Sequence, residues 1–228
     1  MSSPGNSSGD WKHPATDVLM PTSPSSPPDG CLNALGLMSG TSLDGVDAAL
    51  VRTDGTSIKA HGPALTLPYS PQLRAQLRNL LDTAPDLTPD NPVLKAVEHG
   101  LTHVHVQAVQ RLRKLAPDMA VDVVGFHGQT ILHKPGRTWQ IGDAAYLSAQ
   151  TNLPVIHDFR TADVAAGGEG APLAPLYHAA LLYKRPRPVA VLNIGGVANL
   201  TLLTSSGQVV ACDTGPGNAL MEIGRAHV

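Results

Sequence analysis

The chain has 228 residues, 42% of them hydrophobic, enough to close a substantial core as one large domain or one domain plus part of another. With 16 Lys and Arg against 18 Asp and Glu, no broad field draws it to nucleic acid or an acidic membrane surface, so any anion must be bound locally. Cys31 and Cys212 form neither a disulfide framework nor a zinc spacing, and neither a secretory pattern nor a run of about 18 apolar residues occurs, so a reduced cytoplasm is expected.

Residues 1–30 hold 16 Ser, Pro or Gly and read as a disordered tail, too poor in periodic apolar surface to offset the entropy of ordering. From Ala34 to Met38 the pattern predicts a buried strand, from Ser39 to Gly45 a polar glycine-bearing turn, and from Val46 to Val51 a return strand. A third strand fits 56–61. Ser70-Pro71 supplies a cap and first-turn proline for a helix to Thr83, with Leu73, Leu77, Leu80 and Leu81 at helical spacing. A second helix is expected from Asn91-Pro92 to Leu115, presenting Val93, Val97, Leu101, Val104 and Ala108 on one stripe. Its His99, His103 and His105 lack an accompanying carboxylate motif and are read as water-facing, not as metal ligands.

Further strands are expected at 121–126, 138–141 and 153–156, and a helix over Ala171–Tyr183. Strands and helices alternate, so the class is α/β. Lys184-Arg185-Pro186-Arg187-Pro188 reads as a domain junction. Beyond it a strand at Val189–Ile194, a turn at Gly195-Gly196 and a return strand near Asn199–Leu203 repeat the opening theme of a hairpin with a glycine turn. Two such turns facing one another can offer backbone N–H groups to one polyphosphate.

Gly40-Thr41-Ser42-Leu43-Asp44-Gly45 has the outer glycines of a P-loop, but Val46-Asp47 stand where Lys and Ser/Thr are required and a strand follows instead of a helix. Phosphate logic survives without it: glycines permit backbone approach, Thr41 and Ser42 carry hydroxyls, and Asp44 suits a hydrated Mg²⁺. An ordinary turn of the same composition is the alternative. Asp213, after a strand at Gln208–Ala211 and beside Gly215-Pro216-Gly217-Asn218, is either a general base or an aspartate closing its loop. His127-Gly128-Gln129-Thr130 and His157-Asp158-Phe159-Arg160, with Asp163 close behind, are expected at strand ends, where open α/β sheets bind ligands. Arg160 either meets a ligand carboxylate or pairs with Asp158 or Asp163.

Taken in order, Gly36 to Asp47, Gly125 to Thr130, Gln140 to Asp143, Asp158 to Arg160, Gly167 to Leu173, Leu192 to Leu200 and Asp213 to Asn218 resemble the anhydro-N-acetylmuramic acid kinase family over about residues 35–222. The resemblance implies the actin/hexokinase/Hsp70-like ATPase fold, with a first α/β domain over 31–186 and the beginning of a second over 187–222. It implies ATP with Mg²⁺, and conversion of 1,6-anhydro-N-acetylmuramic acid and water to N-acetylmuramic acid 6-phosphate in peptidoglycan recycling. By motif, Gly40, Thr41, Ser42, Leu43, Asp44, Gly45, Val46 and Asp47 form the first phosphate loop, and Gly195 and Gly196 belong to the second. Asp213 is then the base that activates water, while His127, Gln129, Arg160, Asp163, Asn199 and Asn218 are substrate contacts. The partner is a small sugar, with no nucleic acid or membrane, and the resemblance leaves a homodimer open. Another sugar kinase of this fold and a non-catalytic nucleotide-binding module are the competing readings.

The family's enzymes continue beyond this length, so the chain reads as an N-terminal fragment expected to lack kinase activity by itself. After Leu220-Met221 the family pattern calls for Asp and an aromatic-containing helix, whereas Glu222 is followed by Ile223-Gly224-Arg225-Ala226-His227-Val228. Those last residues match the translation of a common sequencing-adapter stretch and are expected to be non-native.

Overall fold

The computed structural model describes residues 29–195 and 197–217. Most of the expected tail over 1–30, together with Gly196, Asn218, the residues after it and the expected non-native end, lie outside the described residues. The tail's last two residues, Asp29 and Gly30, form a turn tied to the first sheet, where Arg52 Nη2 donates to Asp29 Oδ2 at 2.7 Å.

The first sheet is mixed. Strands β1 (Leu32–Ser39), β2 (Gly45–Thr53) and β3 (Ile58–Pro68) form an antiparallel meander, and β4 (Val123–Lys134) adds parallel to β1 on its other side. The first part of β4 pairs in parallel with β6 (Val155–His157), and its last part pairs antiparallel with β5 (Arg137–Ile141). The second sheet is an antiparallel meander of β7 (Val189–Ile194), β8 (Val197–Leu203) and β9 (Val209–Pro216).

Period-two alternation in β1 and β2 sends Leu35, Leu37, Val46, Ala48 and Leu50 to one face, where they are buried, while Gly36, Met38, Asp47 and Ala49 are exposed on the other. Helices α1 (Pro71–Thr83) and α2 (Pro92–Leu115) cover the apolar face. Their starts follow the expected chemistry: Ser70 Oγ accepts from Leu73 N at 3.2 Å, and Asn91 Oδ1 accepts from Val93 N and Leu94 N. Each such cap contributes about 1 kcal/mol.

The buried stripe of α2 begins at Leu94 and runs through Val97, Leu101, Ala108 and Leu112, while Val93 is exposed. Val97, Leu101 and Ala108 are buried as the pattern predicts, and the departure is confined to the first turn, where Leu94 and not Val93 faces the core. His105 also departs from expectation. It is fully buried, with Nδ1 on Leu101 O at 2.9 Å and its ring edge-on to Phe126, because α2 buries a face wider than the stripe alone.

Three further elements differ from the sequence reading. Helix α3 (Ala144–Thr151), capped where Asp143 Oδ1 accepts from Tyr146 N, follows β5 directly. A five-residue helix α4 (Thr161–Ala165) follows β6, and the helix expected over 171–183 is the shorter α5 (Ala174–Leu181): Pro172 disfavours helical backbone at Ala171, while Pro175 is accommodated in the first turn. Asp213 lies inside β9 and not in a turn, since pairing with β8 carries that strand on to Pro216.

Candidate functional site

The Gly40–Asp44 turn joins β1 to β2, and one of its side chains turns inward. Thr41, Ser42 and Asp44 are exposed while Leu43 is 2% exposed, driven into the core with a left-handed φ of 55°. A non-glycine residue there costs on the order of 1 kcal/mol, offset by burying a leucine side chain, worth about 2 kcal/mol. Leu43 N donates to Gly40 O at 3.2 Å, Ser42 Oγ to Asp44 Oδ1 at 2.8 Å, and Arg74 Nη2, from α1, to Ser42 O at 3.2 Å. Gly45 must be glycine, because a Cβ there would collide with the backbone of Leu67 and Pro68 on β3.

Beneath the turn runs a buried polar chain. Tyr69 Oη donates to Ser39 Oγ at 2.7 Å, Ser39 Oγ donates to Gln129 Oε1 at 2.5 Å, and Gln129 Nε2 donates to Thr130 O at 3.1 Å. Gln129 is completely buried and faces this chain, not open space. Burial raises the Tyr69 phenol well above its ordinary pKa, so it remains a donor at any physiological pH.

The open face of the first sheet walls a cleft of about 1260 Å³, bounded also by Phe159, Arg160, residues 171–174, Tyr177, Asn193 and Asn199. Its floor is small, with Gly36, Ala49, Ala64 and Gly125 in one row across four strands. Beside them, Thr66 Oγ1 donates to Asp47 Oδ1 at 2.5 Å.

His127 and Arg160 meet at one end of this cleft. The His127-Gly128-Gln129-Thr130 set was expected at a strand end but lies within β4, because Gly128, at φ 68°, bends the strand and pairing with β5 continues it. Arg160 Nε and Nη2 both lie on His127 Nε2, at 3.0 and 2.9 Å, and Nη1 donates to Gly170 O at 2.7 Å. His127 Nδ1 sits 2.9 Å from Gly128 O, which assigns the proton to Nδ1 and leaves Nε2 as the acceptor. Burial, reinforced by the Arg160 charge, holds the His127 pKa below the usual histidine value, so the ring is neutral at pH 7. Arg160 pairs with neither Asp158 nor Asp163. Asp163 instead holds the 166–170 loop, its Oδ2 accepting from Gly170 N at 2.7 Å.

Asp213 lines a second cavity of about 690 Å³ with Lys134, Gly168 and Glu169, and this cavity shares Ala171 and Pro172 with the first. Of the expected site residues, Asp47, His127, Arg160 and Asn199 line the first cleft. Residues 40–45 are not among its lining residues, Gly195 lies at the β7–β8 turn near Gly217, and Asp213 lines the second cavity. The register links these places: Asn193, Asn199 and Asp213 are directly opposite one another on β7, β8 and β9. Among the described residues no group of three His, Cys, Asp or Glu is placed to hold a metal, and no helix is long and apolar enough to cross a membrane.

The family model for anhydro-N-acetylmuramic acid kinase matches residues 32–227. This chain belongs to the anhydro-N-acetylmuramic acid kinase family. Proteins of that name are similar over most of it: 61% identity over 196 residues with one from Gluconobacter oxydans strain 621H, covering 83% of this chain and 54% of the relative. One from Acidiphilium cryptum strain JF-5 is 58% identical over 193 residues (84% and 52%), and one from Bradyrhizobium diazoefficiens strain USDA 110 is 50% identical over 201 residues (84% and 54%). The chain thus spans about half the length of the curated relatives it matches.

In this member of the anhydro-N-acetylmuramic acid kinase family, three polar residues at the site fall outside the expected set. Ser39 and Tyr69 act from beneath the turn, and only the contacts between distant segments reveal them. Asn193 was findable, because a hairpin centred on residue 196 must bring positions 193 and 199 side by side.

Proposed function

We propose that this chain carries the first domain, residues 31–186, and the beginning of the second, 187–222, of a kinase with the actin/hexokinase/Hsp70-like fold. On this reading the enzyme uses ATP and water to convert 1,6-anhydro-N-acetylmuramic acid to N-acetylmuramic acid 6-phosphate, a cytoplasmic step of peptidoglycan recycling. Family membership is the observation that carries it. The topology supports the fold: an antiparallel β1–β2–β3 meander is extended by parallel β4 and β6, and a second meander then opens a new sheet with another glycine-turn hairpin.

Residues 40–47 act as the first phosphate loop, with Thr41, Ser42 and Asp44 directed outward and the backbone held from below. Gly195 and Gly196 contribute the second. Phosphoryl transfer chiefly needs positioning and neutralised charge, and a rigid glycine turn supplies the first. A bound Mg²⁺ would neutralise phosphate charge. Asp44 suits a hydrated ion carried in with the nucleotide better than a cage, since it is exposed and belongs to no group of three ligating side chains among the described residues.

Asp213 accepts a proton from water as that water's oxygen bonds to the anomeric carbon. The anhydro bridge then breaks at that carbon, and its oxygen, left on C6, takes the γ-phosphoryl group from ATP, releasing ADP. The sugar lies in the cleft lined by His127, Arg160 and Asn199, its carboxylate directed to Arg160, and Asn218 is a further substrate contact by motif alone. Gln129 and Asp163 serve the substrate indirectly, through Ser39 and through the 166–170 loop. A homodimer is part of this reading through the family resemblance alone.

The test is Asp213→Asn in this sequence extended to the relatives' full length. Turnover of ATP with the anhydro sugar should fall below detection while ATP affinity stays within about twofold, since the change removes one proton acceptor and keeps the shape. Turnover near that of the parent would overturn the assignment.

A further inference from the structure

The Gly40–Asp44 turn is clamped at both ends by one residue that no motif contains. Tyr69 donates through its hydroxyl to Ser39 Oγ at 2.7 Å, immediately before the turn, and through its backbone N–H to Asp44 O at 3.1 Å, at the turn's far end. Ser39 passes the first contact on to Gln129 on β4, so the entry of the turn is fixed to one neighbouring strand and its exit to the β3–α1 junction.

The three side chains of this chain are Tyr69, Ser39 and Gln129, at 7%, 1% and 0% exposure, so water cannot replace a lost partner. What they hold would not stay in place unaided. Leu43 occupies the left-handed region in the middle of the turn, and its strain persists only where the surroundings fix the backbone on both sides. The same junction also delivers Arg74 to Ser42 O, because α1 begins two residues after Tyr69.

We propose that Tyr69 is the positioning residue of this loop: its hydroxyl, acting through Ser39 and Gln129, keeps residues 40–44 in the shape that turns Thr41, Ser42 and Asp44 outward. The consequence for nucleotide rests on the phosphate-loop reading above. The clamp itself does not.

The experiment is hydrogen exchange by NMR on the chain with Tyr69→Phe, which removes one oxygen and keeps the backbone contact to Asp44. The Leu43 amide and the amide at position 69 should exchange about fivefold faster, the scale of one lost buried hydrogen bond, while the amides of Leu35 and Val124 in the central strands keep their rates. Ser39→Ala should give the same local effect, and combining the two should add little to either alone. Unchanged exchange at Leu43 would overturn the proposal, as would equal acceleration at Leu43, Leu35 and Val124, which would make Tyr69 a core residue and nothing more. A parallel measurement with ATP and Mg²⁺ on the parent sequence extended to the relatives' full length separates the two readings. Loop exchange indifferent to nucleotide there, with Tyr69→Phe still freeing the loop, would remove the phosphate assignment and leave the clamp standing.

Discussion

Two glycines with nearly the same backbone angle allow the cost of the bend beside His127 to be taken apart. Gly136, in the β4–β5 turn, has φ 73° and nothing within 4 Å of where a Cβ would stand. Gly128 has φ 68°, but its Cβ would meet the carbonyl of Ile141, which is backbone in the paired strand β5 and cannot swing aside. Gly136→Ala should therefore lose only the left-handed preference, about 1 kcal/mol after the stiffer unfolded chain is credited. Gly128→Ala loses that and must also part β4 from β5, which adds about 2 kcal/mol on the scale of overpacked cores. Urea unfolding followed by circular dichroism measures both, provided the slope with denaturant is unchanged. Losses within about 0.5 kcal/mol of each other would refute the steric argument, since the angle alone would then explain both. Because Gly128 O also accepts from His127 Nδ1, the same variant should disturb the His127–Arg160 pair.

Acid should weaken the fold through His105, whose burial pushes its pKa down to about 4 from 6.5, so the unfolded chain binds this proton first. The stability it supports is present above pH 6.5 and lost as pH falls toward 4, a gap worth about 3 kcal/mol, with His127 shifted in the same direction. Urea midpoints between pH 7 and 4 should show that slope, and His105→Phe should flatten most of it; an equal slope in the variant would refute the assignment. Asp163→Ala should release the 166–170 loop by removing the acceptor of Gly170 N, at a cost of about 1 kcal/mol, seen as faster limited proteolysis between Gly167 and Gly170. Unchanged cleavage there would show that the loop is held by other contacts.

Local chemistry made much of this fold readable. Alternation gave the β1–β2 hairpin, and Ser70-Pro71 and Asn91-Pro92 announced both long helices, because a cap and a first-turn proline act within a few residues of where they stand. What pattern could not supply were features decided across the chain. Nothing near Gln129 indicates that β4 will run on through it, since the continuation depends on β5 as a partner. Asp213 looks like a turn residue until β8 draws it into β9. Helix α3 is short and apolar on several sides, without the periodic contrast that marks α2. At the site, the polar residues of the motifs were legible as types, but which of them face open space was not: Gln129 and Asp163 turn inward to hold backbone and neighbours, while Asn193, outside the expected set, lines the cleft.

The Arg160–His127 pair couples two residues of this cleft, so that moving one changes what the other can bond. Three of the five N–H donors of the guanidinium are engaged, two on the imidazole nitrogen and one on the Gly170 carbonyl. An anion that draws the guanidinium away leaves His127 Nε2 without its donors, and a neutral imidazole nitrogen in a half-buried wall then needs a new one. A ligand offering both a carboxylate and a nearby hydroxyl satisfies the two vacated partners together, whereas a carboxylate alone strands the histidine. On the substrate reading proposed above, a ligand that displaces the guanidinium from His127 is favoured when it carries an acceptor and a donor at matching spacing.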